Sequence, residues 1–243
     1  RDRNVTGVQT CALPICLRLT VLDPEPDAVY HATAPGLRNR STPWAERTMN
    51  VLFREQPGPE SVFMSVAESV RDEPQLIIEP IECSHPGVVG IAVQRGEATD
   101  YIFVGDESSA TTDVTCLEPA GLRFTGRQAV VTIEGGEVVF AQLVDGTNLT
   151  LGALNLTCDG PIAGTIVAFD DEADTFTVSA ALPEGDTLTG RQLLVADRVD
   201  GAYEIARVEA ADGGSVVYLA DEPIMRVAEG DGFVVPSVVE LRR

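Results

Sequence analysis

The chain has 243 residues and a formal net charge of −21, and all 17 of its basic residues are arginines. A surface this acidic argues against nucleic acid or an anionic membrane as the main partner, because both are bound through clustered positive charge. No run of about 18 apolar residues occurs in the sequence, so no membrane-spanning helix is predicted. The absence of lysine fits a GC-rich genome or an acidic surface adapted to salt.

The first fifteen residues differ in character from the rest. Residues 5–15 read VTGVQTCALPI, which resembles a forward-frame translation of a widely used short-read sequencing adapter. Residues 1–2 fit the primer segment upstream of such an adapter, and residues 3–4 fit its variable index. We therefore expect residues 1–15 to be a sequencing artefact and exclude them from the fold prediction. A natural amino terminus is the alternative.

From residue 17 onward, strand patterns dominate the sequence. Apolar and polar residues alternate over 17–21, 49–53 and 62–66, which is typical of half-buried strands. Further strands are predicted between turn residues, and Asp145-Gly146 is expected to end the last of them. These strands cover residues 75–81, 88–93, 101–104, 128–133 and 137–144. The pattern predicts an antiparallel β-sandwich over residues 17–158.

A second β region is predicted beyond Asp159-Gly160-Pro161. About eighty residues with six short strands suggest a small closed barrel over residues 161–243, because closure removes exposed sheet edges. The six strands are expected at residues 164–170, 175–180, 191–196, 203–208, 216–220 and 232–239. The fold class is therefore all-β, with a sandwich followed by a barrel-like domain.

Three cysteines remain after the first segment and its junction are set aside, and they are Cys83, Cys116 and Cys158. They are widely spaced, so free core cysteines are expected, and one disulfide with one remaining thiol is the alternative. His85 follows Cys83 by two residues, which supplies half a zinc site at most. A turn before a strand is the expected role of His85.

Other polar residues also have structural interpretations. His31 lies beside Tyr30 on a strand, where adjacent side chains point to opposite faces and do not converge. Asp170, Glu172 and Asp174 alternate as at the start of a calcium loop, but the glycine and the terminal glutamate of such a loop are missing. A solvated hairpin turn is expected there. The sequence thus predicts no catalytic residue, no metal site and no cofactor in this chain.

One segment concentrates positive charge and an aromatic ring in this acidic chain. Arginine binds carboxylate and sulfate bidentately, and an exposed tryptophan can stack on a sugar ring. The group predicts either a contact surface for an anionic polysaccharide or a loop that docks on another domain through ion pairs and a buried tryptophan. Its members are Arg38, Arg40, Trp44, Arg47 and Arg54.

Several stretches carry a family resemblance. They are residues 17–22, APGLRNRSTPW (34–44), SVFMSVAE (61–68), TDYIFV (99–104) and GLRFTGRQAVV (121–131), which leads to 143–152. In order and spacing they resemble the carboxy-terminal β-sandwich region of heparinase II/III-like polysaccharide lyases, over residues 17 to about 158. The resemblance implies a sandwich architecture and a periplasmic or secreted location. None of the stretches is a catalytic signature.

The resemblance also implies a function for the parent protein. These lyases remove the proton beside a uronic acid carboxylate, which requires neutralisation of that carboxylate, a general base and an acid. Most of that machinery lies in an α-toroid that precedes the sandwich, and this chain contains no toroid. We expect a non-catalytic β fragment that supports the missing toroid and lines the cleft, with an anionic polysaccharide as partner of the whole protein. A carbohydrate-binding module and a structural β domain of a secreted or cell-surface protein are the alternatives.

Overall fold

The computed structural model describes residues 4–9, 16–22, 28–35, 48–55, 63–195, 201–220 and 227–243. Within these ranges the protein has nineteen strands, a 3-10 helix at Glu107–Thr111 and no α-helix. All strand pairings are antiparallel, which confirms the predicted all-β class.

Two small sheets are formed by the first part of the chain. A three-stranded sheet has the order β1-β2-β5, with β1 at Asn4–Gln9, β2 at Cys16–Val21 and β5 at Ser65–Val70. A separate hairpin pairs β3 (Ala28–Pro35) with β4 (Thr48–Glu55) over eight residue pairs. Residues 4–9 are thus described as a strand, and the origin proposed for residues 1–15 stays a prediction.

An eight-stranded sheet is the largest sheet of the described residues. Its main path runs β12-β11-β10-β8-β7-β6, while β9 pairs with β10 and β19 pairs with β11. The strands are β6 (Ile77–Ile81), β7 (Val88–Arg95), β8 (Ala98–Gly105), β9 (Val114–Thr115), β10 (Arg123–Glu134), β11 (Glu137–Leu151), β12 (Leu154–Thr157) and β19 (Val238–Arg242).

Alternation along these strands buries two sets of side chains on opposite faces of the sheet. Phe103, Phe124 and Leu149 belong to the larger cluster and are fully buried. On the other face, Ile91 and Val93 of β7 pack with Met64, which lies just before β5. The three-stranded sheet therefore covers β7 and β8 in a sandwich arrangement, as the alternation predicts.

Six strands close into a barrel with the order β13-β14-β17-β16-β15-β18. Fully buried side chains such as Ile166, Phe176 and Phe233 fill its interior. The predicted small barrel is confirmed. Its strands are β13 (Ile162–Asp170), β14 (Thr175–Val178), β15 (Gln192–Val195), β16 (Ala202–Ala211), β17 (Gly214–Leu219) and β18 (Gly232–Val235).

The stretch 232–239, expected as one strand, divides between the barrel and the sheet. β18 ends at Val235, and β19 begins at Val238 and pairs with β11. Ser237 fixes this crossing, because its amide donates to Asp145 Oδ1 at 3.0 Å and its carbonyl accepts from the Asp145 amide at 2.9 Å. The final strand of the described chain thus ties the barrel to the sheet.

The expectation that Asp145-Gly146 ends a strand is wrong, because β11 continues through this pair to Leu151. The ladder with β10 shifts register beside it, between Thr125 and Gly126, as in a β-bulge. A Cβ on Gly146 would lie 2.2 Å from the carbonyl oxygen of Thr125. Gly146 therefore allows β10 and β11 to approach closely where their ladder bends.

The cysteines also differ from the expectation. Cys83 and Cys116 form a disulfide, and Cys158 is a free cysteine. The two bonded cysteines are directly opposite one another, between the Ser84–Thr115 and Leu117–Glu82 backbone hydrogen bonds. Their Cα atoms are 4.1 Å apart, as suits a non-hydrogen-bonded antiparallel pair. The prediction of free core cysteines is wrong, and its alternative is observed.

Candidate functional site

The arginine group falls mostly on residues whose structure is not described. Arg38, Arg40, Trp44 and Arg47 lie outside the described residues, between β3 and β4 in the sequence. Arg54 lies in β4 with its backbone opposite Val29, and its side chain is outside the description. Whether these side chains converge therefore stays a prediction.

The β3–β4 hairpin carries an exposed aromatic pair. Tyr30 and Phe53 are directly opposite in the ladder, with 55% and 57% of their surface exposed. Alternation over residues 49–53 predicted a half-buried strand, so the exposure of Phe53 corrects that expectation. Opposed residues of an antiparallel pair have their Cβ atoms about 5 Å apart, so the two rings form one patch. Such a patch suits a sugar ring or another apolar surface.

A second polar cluster lies at the end of the eight-stranded sheet, before β7 and at the 3-10 helix. The amide of Gly87 donates to His85 Nδ1 at 3.1 Å, and His85 Nε2 is 3.1 Å from Ser108 Oγ. Ser108 Oγ donates to Asp106 Oδ1 at 2.7 Å. His85 thus occupies a turn before a strand, as predicted. The sequence did not predict that Asp106 and Ser108 join it, because they lie 21 and 23 residues later in the chain.

The hydrogen-bond directions decide what this cluster can do. Nδ1 of His85 accepts a hydrogen bond from the Gly87 amide, so the neutral imidazole carries its proton on Nε2 and donates a hydrogen bond to Ser108 Oγ. The hydroxyl then donates to Asp106, and this hydrogen bond from Ser108 holds the pKa of the Asp106 carboxyl below its usual range. Because His85 is the donor in this arrangement, it does not act as a base towards Ser108. The cluster joins the turn before β7 to the segment after β8.

Glu68 makes the most buried ionic contact of the described residues. Its side chain is 7% exposed, and Oε1 accepts the amides of Gln75 and Leu76 at 2.6 and 2.9 Å. Oε2 is 3.4 Å from Nη1 of Arg18, whose Nη2 donates to the carbonyl of Leu76. Glu68 ends the stretch SVFMSVAE, and its contacts fasten β2 and β5 to the segment that enters β6. This role is structural.

The acidic residues at the β13–β14 turn behave as predicted. Asp170 Oδ1 accepts the amides of Glu172 and Ala173 at 3.0 and 3.1 Å, and Asp174 has a positive φ of 50°. These are features of a tight hairpin turn. Across the described residues, no group of three or more potential ligand side chains is placed to hold a metal ion.

Comparison with family models, with curated proteins and with solved structures finds no match to this chain. The resemblance to heparinase II/III-like lyases therefore stays a prediction that rests on the quoted stretches. In the part of the chain that the structure describes, no helix has the length and apolar character to cross a membrane.

Proposed function

We propose that this chain is the non-catalytic carboxy-terminal β region of a polysaccharide lyase that acts by β-elimination on uronic-acid-containing glycans. In the whole protein it supports an amino-terminal α-toroid, and its β3–β4 hairpin lines the cleft. The observation that carries this proposal is the exposed Tyr30–Phe53 pair on that hairpin.

The hairpin combines two properties that a surface for an acidic glycan requires. Its aromatic pair offers apolar ring faces to the C–H faces of sugar rings. Its connecting residues 36–47 supply three arginines and the single tryptophan of the chain, in a protein with a net charge of −21. Arginine pairs with carboxylate and sulfate groups bidentately, so this segment is suited to hold a uronate.

Two further observations support the assignment. The Cys83–Cys116 disulfide is typical of a protein that matures outside the reducing cytosol, which agrees with a periplasmic or secreted polysaccharide lyase. The His85 cluster links two loops through hydrogen bonds, and the Nε2 proton of His85 points towards Ser108. We therefore assign the eliminative chemistry to the toroid of the parent protein.

The first experiment measures binding and cleavage with one substrate. The 243-residue chain is titrated with a hyaluronan hexasaccharide by calorimetry, and ultraviolet absorbance is followed for unsaturated uronate. We expect binding that weakens at high salt, because exposed charge pairs are screened, and no cleavage. Tyr30→Ala and Phe53→Ala should each weaken binding about tenfold, since ring stacking contributes on the order of 1 kcal/mol or more.

Phe169→Ala is the matched control, because it removes a ring that is 44% exposed on the barrel. Affinity unchanged in Tyr30→Ala and Phe53→Ala would overturn the role of the hairpin. Appearance of unsaturated uronate would overturn the non-catalytic assignment. Recovery of the upstream gene tests the parent: an α-helical region supports a lyase, whereas a further β array favours a carbohydrate-binding or structural protein.

A further inference from the structure

A pocket lies where the two ends of β11 meet. It has a volume of about 330 Å³, within the range of small-molecule sites. Turn residues line it from three places: the β10–β11 hairpin, the β11–β12 hairpin and the loop at residues 119–120. Its apolar wall consists of buried and half-buried side chains, namely Pro119, Ile133, Val138, Leu151, Leu154 and Leu241.

The pocket exists because the long ladder of β10 and β11 is bent. A straight strand of 15 residues would separate its ends by about 46 Å. Glu137 and Leu151, the first and last residues of β11, nevertheless line the same pocket. The Gly126–Gly146 bulge lies between these ends and permits the bend. The cavity is therefore a product of the backbone path as well as of the side chains.

Two exposed residues of opposite charge complete the lining, Glu137 and Arg243. Among the described residues, neither side chain has an ion-pair partner, whereas the neighbouring Arg242 contacts Glu240. A carboxylate accepts hydrogen bonds from two hydroxyls, and a guanidinium donates hydrogen bonds in a planar fork. Each group can therefore bind hydroxyls at the edge of a sugar ring.

The charge of the pocket lining narrows the choice of ligand. One arginine and one glutamate side chain line the pocket, so the lining has no excess of positive charge to hold an anion. The apolar wall excludes a ligand that is polar all round. These conditions fit a neutral pyranose, which has an apolar C–H face and a periphery of hydroxyls.

We propose that this pocket binds one neutral pyranose residue, with its C–H face on the apolar wall and its hydroxyls on Glu137 and Arg243. This site is separate from the β3–β4 hairpin, because it is built by β10, β11, β12 and β19. It goes beyond the proposed function, since it concerns a neutral sugar and a different surface.

The test uses the 243-residue chain and the methyl pyranosides of glucose, galactose and mannose, with sodium glucuronate for comparison. Binding is measured by chemical-shift titration. We expect at least one pyranoside to bind with a millimolar dissociation constant, and glucuronate to bind more weakly. Glu137→Gln and Arg243→Gln should each raise that constant about tenfold, as loss of a charged hydrogen bond does.

The chain supplies a matched control for each variant. Glu134→Gln removes a negative charge close to Glu137, at the other end of the same hairpin turn. Arg242→Gln removes a positive charge from the residue next to Arg243. Neither Glu134 nor Arg242 lines the pocket. Both controls should stay within about twofold of the unchanged chain, since only remote charge changes. Ala153→Trp fills the pocket from an exposed position and should abolish binding, with far-ultraviolet circular dichroism unchanged.

Three results would overturn the pocket assignment. The first is no binding of any pyranoside at tens of millimolar, and the second is equal weakening by the control variants. Tighter binding of glucuronate than of all three neutral sugars would be the third, because it would indicate an anion site. Tyr30→Ala should leave pyranoside affinity unchanged, so failure of the hairpin proposal and failure of this one are distinguishable.

Discussion

The barrel and the eight-stranded sheet protect their strand edges in different ways. In the barrel every strand has two neighbours, and the interior is filled by large side chains such as Phe176 and Phe233. In the described sheet, four strands have a neighbour on one side only, β6, β9, β12 and β19; each has five residues or fewer, and β6 contains Pro80. Closure fixes the barrel as one packed core, whereas the open sheet bends and leaves a pocket between strand ends.

The filled interior of the barrel predicts a large loss of stability when one of its side chains is shortened. Phe233 is 1% exposed, and Phe233→Ala should lower the free energy of unfolding by about 3–5 kcal/mol, because a large cavity replaces the ring. Phe53→Ala on the exposed hairpin should change it by less than about 0.5 kcal/mol. Urea unfolding followed by circular dichroism gives both values. Similar losses in the two variants would contradict the contrast between a filled interior and an exposed pair.

A smaller loss is expected at the bend of the sheet. In Gly146→Ala, the new methyl group would lie 2.2 Å from a backbone oxygen, which cannot move aside as a side chain can. Such overpacking costs about 1–3 kcal/mol. Gly135→Ala is the comparison, because Gly135 has a φ of 58° and open space around it. Only the strain of the left-handed conformation applies there, about 1 kcal/mol.

The readout for the bend includes the pocket as well as stability. Thermal unfolding compares the stability of the two glycine variants. Pyranoside titration measures whether the pocket formed by the two ends of β11 keeps its affinity. Gly146→Ala should weaken sugar binding because the bend positions both hairpin turns. An unchanged affinity in that variant would show that the Gly126–Gly146 bulge does not determine the shape of the pocket.

Local patterns were sufficient to predict the class, most strands and the barrel, because alternation of apolar residues reflects burial on one face of a strand. They failed where distant residues meet. Asp145-Gly146 has the composition of a turn, and only the approach of β10 makes it a bulge. Cys83 and Cys116 are 33 residues apart, so they come to lie opposite one another only when the segments that contain them pair.

The candidate sites were harder to predict for the same reason. Phe53 lies in a strand whose alternation suggests burial, but nothing in that pattern shows whether another layer covers its face. Glu137 and Arg243 are far apart in the sequence, and the bend of β11 together with the return of β19 brings them to one pocket. The arginine group was identified from composition alone, and four of its five residues lie outside the described ranges.

The smallest expected effects are electrostatic, and they arise at one carboxyl group on the barrel and one at the end of the sheet. On the barrel, a hydrogen bond from Tyr218 and then the contact with Arg207 hold the pKa of Glu209 below its usual value. A carboxyl group with a lowered pKa in the folded state stabilises the protein above its unfolded pKa. This contribution is lost as the pH falls through the folded value. Glu209→Gln should therefore lower the melting temperature slightly near neutral pH, with a difference that disappears in acid.

Asp106→Asn makes the corresponding change in the sheet, where the hydrogen bond from Ser108 is the main cause of the lowered pKa. Glu229→Gln removes an equal charge from an exposed position in the barrel region and serves as the control. Glu209 is exposed and Asp106 is half-buried at the surface, so solvent screening keeps each effect small. A difference between variant and parent that grows as the pH falls would contradict the sign, because protonation removes the advantage of the carboxylate. Melting curves from neutral pH to below the ordinary carboxyl range therefore test both sites.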